Sequence, residues 1–197
     1  MDRDSELDVV RRLRAGDPAA FDVVYAAFHA RLFNFMARLS HRRDVAEDLV
    51  EETWLRLVAH AERLRHDTRL GPWLFTVARN LYASYCRSRL LEESSAEELI
   101  GLWPECPPAP SPFEEAAASE AERRVAAALA SLPRTYREVL LLVGVEGMTP
   151  SEAAQVCGIS AEAFRQRLSR GRALLAKQMD LASADAPYVK NLREVLS

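Results

Sequence analysis

Apolar residues recur along the chain every three or four positions, and no stretch of strict alternation competes as a strand. The pattern predicts an all-α protein, punctuated by caps. Ser5 is placed to cap a first short helix that stops at Gly16. Asp17-Pro18 reads as a cap followed by proline at the first helical position, opening "AAFDVVYAAFHARLFNFMARL". Asp44 begins "VAEDLVEETWLRLVAHAERL", and Gly71-Pro72 starts "WLFTVARNLYASYCRSRLL". Further on, Ser111-Pro112 opens a helix through "RRVAAALASL" and Pro133 opens "RTYREVLLLVGV". Thr149-Pro150 caps "SEAAQVCG", and Ser160 caps the last long helix.

Helical wheels assign faces to three of these segments. In the third, Ala46, Leu49, Val50, Thr53, Leu57 and Leu64 form the buried side, and Glu47, Asp48, Glu51 and Glu52 surround Leu55 on the other. One apolar anchor ringed by acids suits a basic partner helix, although a lone exposed leucine is ordinary. In the fourth, Leu74, Val77, Ala78, Leu81 and Tyr85 point inward. Trp73, Thr76, Asn80, Ala83, Ser84 and Arg87 point outward, with Arg79 beside them. Tryptophan among amides and arginines suits unstacked bases, and the preceding loop adds Arg63, Arg65 and Arg69. A tryptophan that merely covers that loop is the competing explanation.

"TPSEAAQVCGISAEAFRQRLSRGRALL" has the layout of a helix-turn-helix, with a short helix, a turn at Gly158 and a longer second helix. Phe164, Leu168, Gly171 and Leu175 form one inward stripe, leaving Glu162, Gln166, Ser169 and Ala173 opposite. In this motif the start of the second helix enters the major groove. Arg165 and Gln166 are then placed for base edges, where arginine reads guanine and glutamine reads adenine. Arg170 and Arg172 are placed for phosphates, and Arg167 sits beside the core stripe.

Charge sharpens the division. The chain of 197 residues has a formal net charge of −3, but Leu90 to Glu122 holds nine acids and no Lys or Arg, so the remainder carries +6. The same stretch contains "PECPPAPSP", with five of the ten prolines, and reads as an extended linker. The expected organisation is a helical domain over 1–93, a linker over 94–112, a second helical domain over 113–181 and a tail over 182–197. In the tail, Val189, Leu192, Val195 and Leu196 have the spacing of a short amphipathic helix. The charged N-terminus has no signal-peptide core and no apolar run reaches membrane-spanning length, which favours the cytoplasm and no direct membrane insertion. Cys86, Cys106 and Cys157 lack disulfide or zinc spacing, and His29, His41, His60 and His66 form no metal pair. Neither a Gly-rich phosphate loop nor a nucleophile motif is present, so no catalytic residues, cofactor or small-molecule substrate are expected.

Taken in order, "AEDLVEETWLRL", "WLFTVARN" and "LPRTYREVLLL" with the helix-turn-helix resemble a bacterial extracytoplasmic-function (ECF) sigma factor of the sigma-70 family. The resemblance covers nearly the whole chain apart from the linker and tail. It implies two helical domains, regions 2 and 4, that bind core RNA polymerase through its β′ clamp and β flap and direct it to promoter DNA. Asp48, Leu49, Glu51, Glu52 and Leu55 would dock on the clamp's basic coiled coil. Arg63, Arg65, Arg69, Trp73, Arg79, Asn80, Ser84 and Arg87 would capture and open the −10 element. Ser160, Glu162, Arg165, Gln166, Ser169, Arg170 and Arg172 would read the −35 element. The linker would thread into the polymerase cleft, and an anti-sigma factor is an expected partner. The family usually has Gln at the place of Glu51, an acid near Ser84, and Thr-Val where this chain has Ala163-Phe164; the departures bear on which promoter is read. Two other readings remain open: a decoy that binds an anti-sigma factor without supporting transcription, and a plain helix-turn-helix regulator.

Overall fold

The computed structural model describes residues 2–93 and 120–183, and the side chains of 2–89 and 121–180. Every regular element among them is helical, and the chain divides into two compact units, Met1–Cys106 and Pro107–Ser197. The proline-rich linker, the Ser111-Pro112 helix start and the tail beyond Ser183 lie outside the described residues.

The first unit contains α1 (Arg3–Arg14), α2 (Pro18–Ser40), α3 (Arg43–His60), a 3₁₀ turn (Ala61–Arg63) and α4 (Leu70–Glu93). Asp2, not Ser5, caps α1: its carboxylate accepts the Ser5 N–H at 3.0 Å. Ser5 has helical neighbours on both sides, so the earlier acid takes the cap. Asp17 caps α2 as its sequence suggests, accepting the Ala19 N–H at 2.9 Å, with Pro18 at the first helical position. α2 ends where His41 adopts a left-handed conformation, φ 57°, and α3 starts at Arg43 with no side-chain cap, one residue before Asp44. The core is formed where α2, α3 and α4 pack together, around Leu32, Phe35, Met36, Leu57, Leu74, Phe75 and Tyr82. Phe35 and Phe75 meet edge to face, their centroids 5.1 Å apart.

The second unit contains α5 (Glu120–Ala130), α6 (Arg134–Leu140), a π-helical turn (Leu141–Val145), α7 (Pro150–Cys157) and α8 (Ala161–Ser183). The segment opened by Pro133 is therefore α-helical only as far as Leu140. There the turn widens: Glu146 N–H donates to the Leu141 carbonyl at 3.0 Å, and Gly147, with φ 66°, ends the segment. Gly144 inside this turn lowers the cost of leaving α geometry. Arg137, at 6% exposure, holds α6 to α5 by donating Nε to the Leu129 carbonyl (3.0 Å) and Nη2 to the Ala130 and Leu132 carbonyls (2.8 Å each). These acceptors are at or just beyond the negative end of α5, where a cation is favoured.

Candidate functional site

Three surfaces carry the sequence-predicted residues. On α3, the core side takes Val45, Ala46, Leu49, Val50, Thr53, Trp54 and Leu57. Leu49 is only 9% exposed and belongs to this side, so it is corrected from a docking residue to a core residue. Leu55, by contrast, is 58% exposed. The acids around it are not equivalent. Glu47 pairs with Arg43 at 2.8 Å and Glu52 with Arg56 at 2.7 Å, each bridging one turn of the same helix. Among the described residues Asp48 and Glu51 form no ion pair, so the net negative field beside Leu55 comes mainly from them.

The sequence reading missed the apolar continuation of this face. Trp54 lies under the exposed edge of α2, where Phe21, Tyr25 and His29 repeat every four residues. The Trp54 ring is 5.0 Å from Tyr25 and 5.7 Å from Phe21, and its indole N–H donates to His29 Nδ1 at 3.3 Å. Tyr25 stacks on His29 with centroids 4.5 Å apart and stays 40% exposed. Val58, one turn beyond Trp54 and Leu55, is 61% exposed. The i, i+4, i+8 aromatic spacing on α2 was the available signal.

The second surface is the loop into α4 and one stripe of that helix. Trp73, Asn80, Ser84 and Arg87 lie within a narrow arc of the helical wheel and span about 21 Å of helix axis. Asn80, Ser84 and Arg87 are exposed; Trp73 and Arg79 are half-buried. Arg87 donates to the Ser84 hydroxyl at 2.9 Å, and Arg79 lies 3.4 Å from the Asn80 side-chain oxygen. The inward side of α4 is rotated from the expected wheel: Phe75, Tyr82, Ala83 and Cys86 are buried, whereas Val77, Leu81 and Tyr85 are only half so. Ala83 is corrected from the outer to the inner side; its single methyl gave the wheel little to discriminate on. In the loop, Leu64 and Leu70 are buried anchors, and Arg65 pairs with Asp67 at 3.1 Å. The Arg65 guanidinium holds the Asp67 carboxyl below its ordinary range. Arg63 is exposed, and Arg69 lies 3.1 Å from the carboxylate of Glu6 on α1.

The third surface is built by α7 and α8. Thr149 and Glu152 form a reciprocal capping box at the start of α7, and Gly158, with φ 65°, ends it in the left-handed region that glycine adopts freely. The Ser160 hydroxyl then accepts the Ala163 N–H at 3.1 Å, starting α8. Phe164, Leu168 and Leu175 are buried, and Gly171 lets α8 approach α6: a Cβ there would lie 3.4 Å from Leu140 Cγ and 3.5 Å from Tyr136 Cβ. Seating that stripe leaves Glu162, Arg165, Gln166, Ser169 and Arg170 exposed. Arg167 is half-buried beside the stripe, as its wheel position indicates. Arg172 is also half-buried, with its Nε covered by protein, and so presents less of its charge than Arg165 and Arg170.

Two family models match the chain: Sigma-70 region 2 over residues 24–90 and Sigma-70, region 4 over residues 122–175. Over 154 residues the chain is 34% identical to the ECF RNA polymerase sigma factor EcfG of Rhodopseudomonas palustris (strain TIE-1), covering 77% of this chain and 80% of that protein. It is 30% identical over 156 residues to the ECF RNA polymerase sigma factor SigM of Bacillus subtilis (strain 168), covering 77% and 90%. Among solved structures it is similar to the sigma factor RpoE of Bartonella quintana in complex with the anti-sigma factor NepR. That match has a TM-score of 0.65 at 26% identity and covers 82% of this chain and 97% of the other. CnrH, solved with the cytosolic domain of CnrY, has the same fold at 23% identity, with a TM-score of 0.64 and coverage of 92% and 99%.

Proposed function

This chain belongs to the ECF RNA polymerase sigma factors, and from that premise we propose how its surfaces divide the work of transcription initiation. The acidic face of α3, with Leu55 as anchor and Asp48 and Glu51 as its unpaired charges, docks on the basic coiled coil of the β′ clamp. Glu52 contributes less, because Arg56 already neutralises it. The loop into α4 and the stripe from Trp73 to Arg87 receive and hold the opened −10 strand. The exposed start of α8 enters the major groove of the −35 element, with Arg165 and Gln166 at base edges and Arg170 on phosphate. The second unit also meets the β flap, and the protein acts in the cytoplasm.

The observation that carries this reading is the seating of α8. Buried Phe164 and Leu168, with Gly171 against Leu140 and Tyr136 of α6, fix its rotation, and the residues left facing solvent are those whose chemistry suits base edges and phosphates. The strip from Tyr25 across Trp54 to Leu55 and Val58 supports a second partner for the same face, an anti-sigma factor that covers it in competition with the clamp. The RpoE relative was solved in complex with an anti-sigma factor, NepR. A decoy would not need the preserved major-groove face.

Run-off transcription with core RNA polymerase, this protein and fragmented genomic DNA, followed by mapping of 5′ ends, tests the proposal. Discrete starts sharing two spaced upstream motifs are expected. Binding to core without any discrete start would favour the decoy. Without polymerase, binding to promoter fragments is expected to be weak and to strengthen at low salt, because the exposed start of α8 offers only a few arginines, Arg165 and Arg170, to the phosphates.

A further inference from the structure

Glu6 is a carboxylate only 7% exposed, on a helix that carries none of the residues assigned so far. Its Oε1 accepts the Leu70 N–H at 2.8 Å, across 64 positions of chain. Its Oε2 lies 2.9 Å from Arg3 Nη1 and 3.1 Å from Arg69 Nε. Arg3 sends its other terminal nitrogen, Nη2, to the Asp67 carbonyl at 2.9 Å. Three contacts thus tie α1 to residues 67–70, the segment that leads into α4, and the Arg3–Glu6 pair within α1 braces them.

Leu70 is the first residue of α4, so its N–H is one of the four that a helix leaves without an internal partner. Glu6 supplies the missing acceptor from another helix, and its charge sits at the positive end of α4. Between the buried anchors Leu64 and Leu70 the loop has little support of its own. Arg65, His66, Asp67 and Arg69 are exposed, and one turn hydrogen bond, from Thr68 N–H to the Arg65 carbonyl at 3.1 Å, closes it. The same carboxylate that anchors the backbone also orients the Arg69 guanidinium, which remains 54% exposed.

We propose that Glu6 is a positioning residue for promoter melting: from α1 it holds residues 65–70 in the one conformation that receives an unstacked −10 base. The proposal rests on the reading of this loop as a −10 contact. A loop ordered in advance loses little conformational freedom on capturing a base, whereas a released one must be ordered at that moment. Docking on polymerase uses α3 and is independent of the anchor.

The test uses the full chain carrying Glu6→Gln, which keeps an acceptor for Leu70 but removes the charge that Arg3 and Arg69 share. Amide exchange across residues 65–70 is expected to quicken about tenfold, with α3 unchanged. On a promoter recovered by 5′-end mapping with the unmodified chain, 2-aminopurine in the −10 non-template strand should report opening reduced about tenfold, at unchanged affinity for core polymerase. Arg3→Ala, at an exposed side chain, should shift exchange and opening in the same direction by less, and serves if Glu6→Gln fails to fold. Unchanged loop exchange would overturn the proposal. So would quickened exchange with undiminished opening, or a parallel loss of core affinity. If Asn80→Ala also left the 2-aminopurine signal intact, the −10 reading beneath the proposal would fall with it, a result distinct from failure of Glu6 alone.

Discussion

Arg137→Ala removes one cation from three carbonyls at the C-terminal end of α5. In the folded protein those oxygens, of Leu129, Ala130 and Leu132, receive donors at 3.0, 2.8 and 2.8 Å from a guanidinium that is nearly inaccessible. A buried acceptor stripped of its partner costs about 1–3 kcal/mol. Three of them cost less than three times that, because the Leu129 carbonyl keeps the Leu132 N–H at 3.1 Å and water entering the vacated space restores part of the bonding at the other two. The expected loss is about 3–5 kcal/mol. A unit of this size has a total stability of about 3–10 kcal/mol, so the variant sits at or near its unfolding threshold. Residue-resolved amide NMR of the full chain during urea titration separates the two units. The resonances of α5–α8 should collapse at low urea, and those of α1–α4 should unfold at their usual concentration. Core polymerase binding through α3 should persist while transcription dependent on the −35 element disappears. Arg137→Lys keeps the charge without the planar fork and should fall between. If α5–α8 in Arg137→Ala denatured within about 1 kcal/mol of the unmodified chain, the claim that this guanidinium joins α5 to α6 would be refuted.

Leu55→Arg should reduce affinity for core polymerase by about 2 kcal/mol or more without changing the melting of α1–α4, since the side chain is largely exposed; unchanged pull-down would exclude Leu55 as an anchor. Arg165→Ala should spare core binding and weaken −35 recognition by about 1–3 kcal/mol, read as promoter occupancy against base substitutions in the element. Gly171→Ala should be near neutral, because the added carbon meets Leu140 and Tyr136 at ordinary contact distance, whereas Gly171→Val should cost about 1–3 kcal/mol by thermal denaturation. Asp17 is held below its ordinary value near 3.8, first by its hydrogen bond from Arg12 and then by the Ala19 N–H, and Asp44 similarly by Arg42. Their stabilisation is complete above about pH 4 and lost as pH falls through the depressed folded values, so the denaturation midpoint should stay level down to about pH 4 and then drop, less steeply in Asp17→Asn.

The features legible in sequence were those set by neighbours a few residues away. Asp17-Pro18, Thr149-Pro150 and Gly158 begin or end helices through their own backbone chemistry, and the structure has them in those roles. The Phe164–Leu175 stripe was legible because its residues are large and regularly spaced. The wheel faltered where a side chain is small. Ala83 is too small to declare a preference, whereas Leu49 is buried as its wheel position indicated, and only the family resemblance had set it among the docking residues. Ser5 has the chemistry of a cap, but Asp2, three residues earlier, has it too and comes first along the chain. Glu6 could not be found at all from its neighbourhood, since its meaning comes from Leu70 and Arg69. The neutralisation of Glu47 and Glu52 depended on rotamers of Arg43 and Arg56 that a helical wheel does not contain.

The hydrocarbon left open at Tyr25, Leu55 and Val58 has a consequence for the life of the unbound molecule. Water contacts these groups only until another surface arrives, and in a concentrated solution of the pure chain that surface is a second copy of the same strip. The free chain is therefore expected to lose solubility at high concentration sooner than one in which this strip is covered. A partner that seals the strip would then act as a solubilising cover for the chain as well as a competitor for the face proposed to meet polymerase.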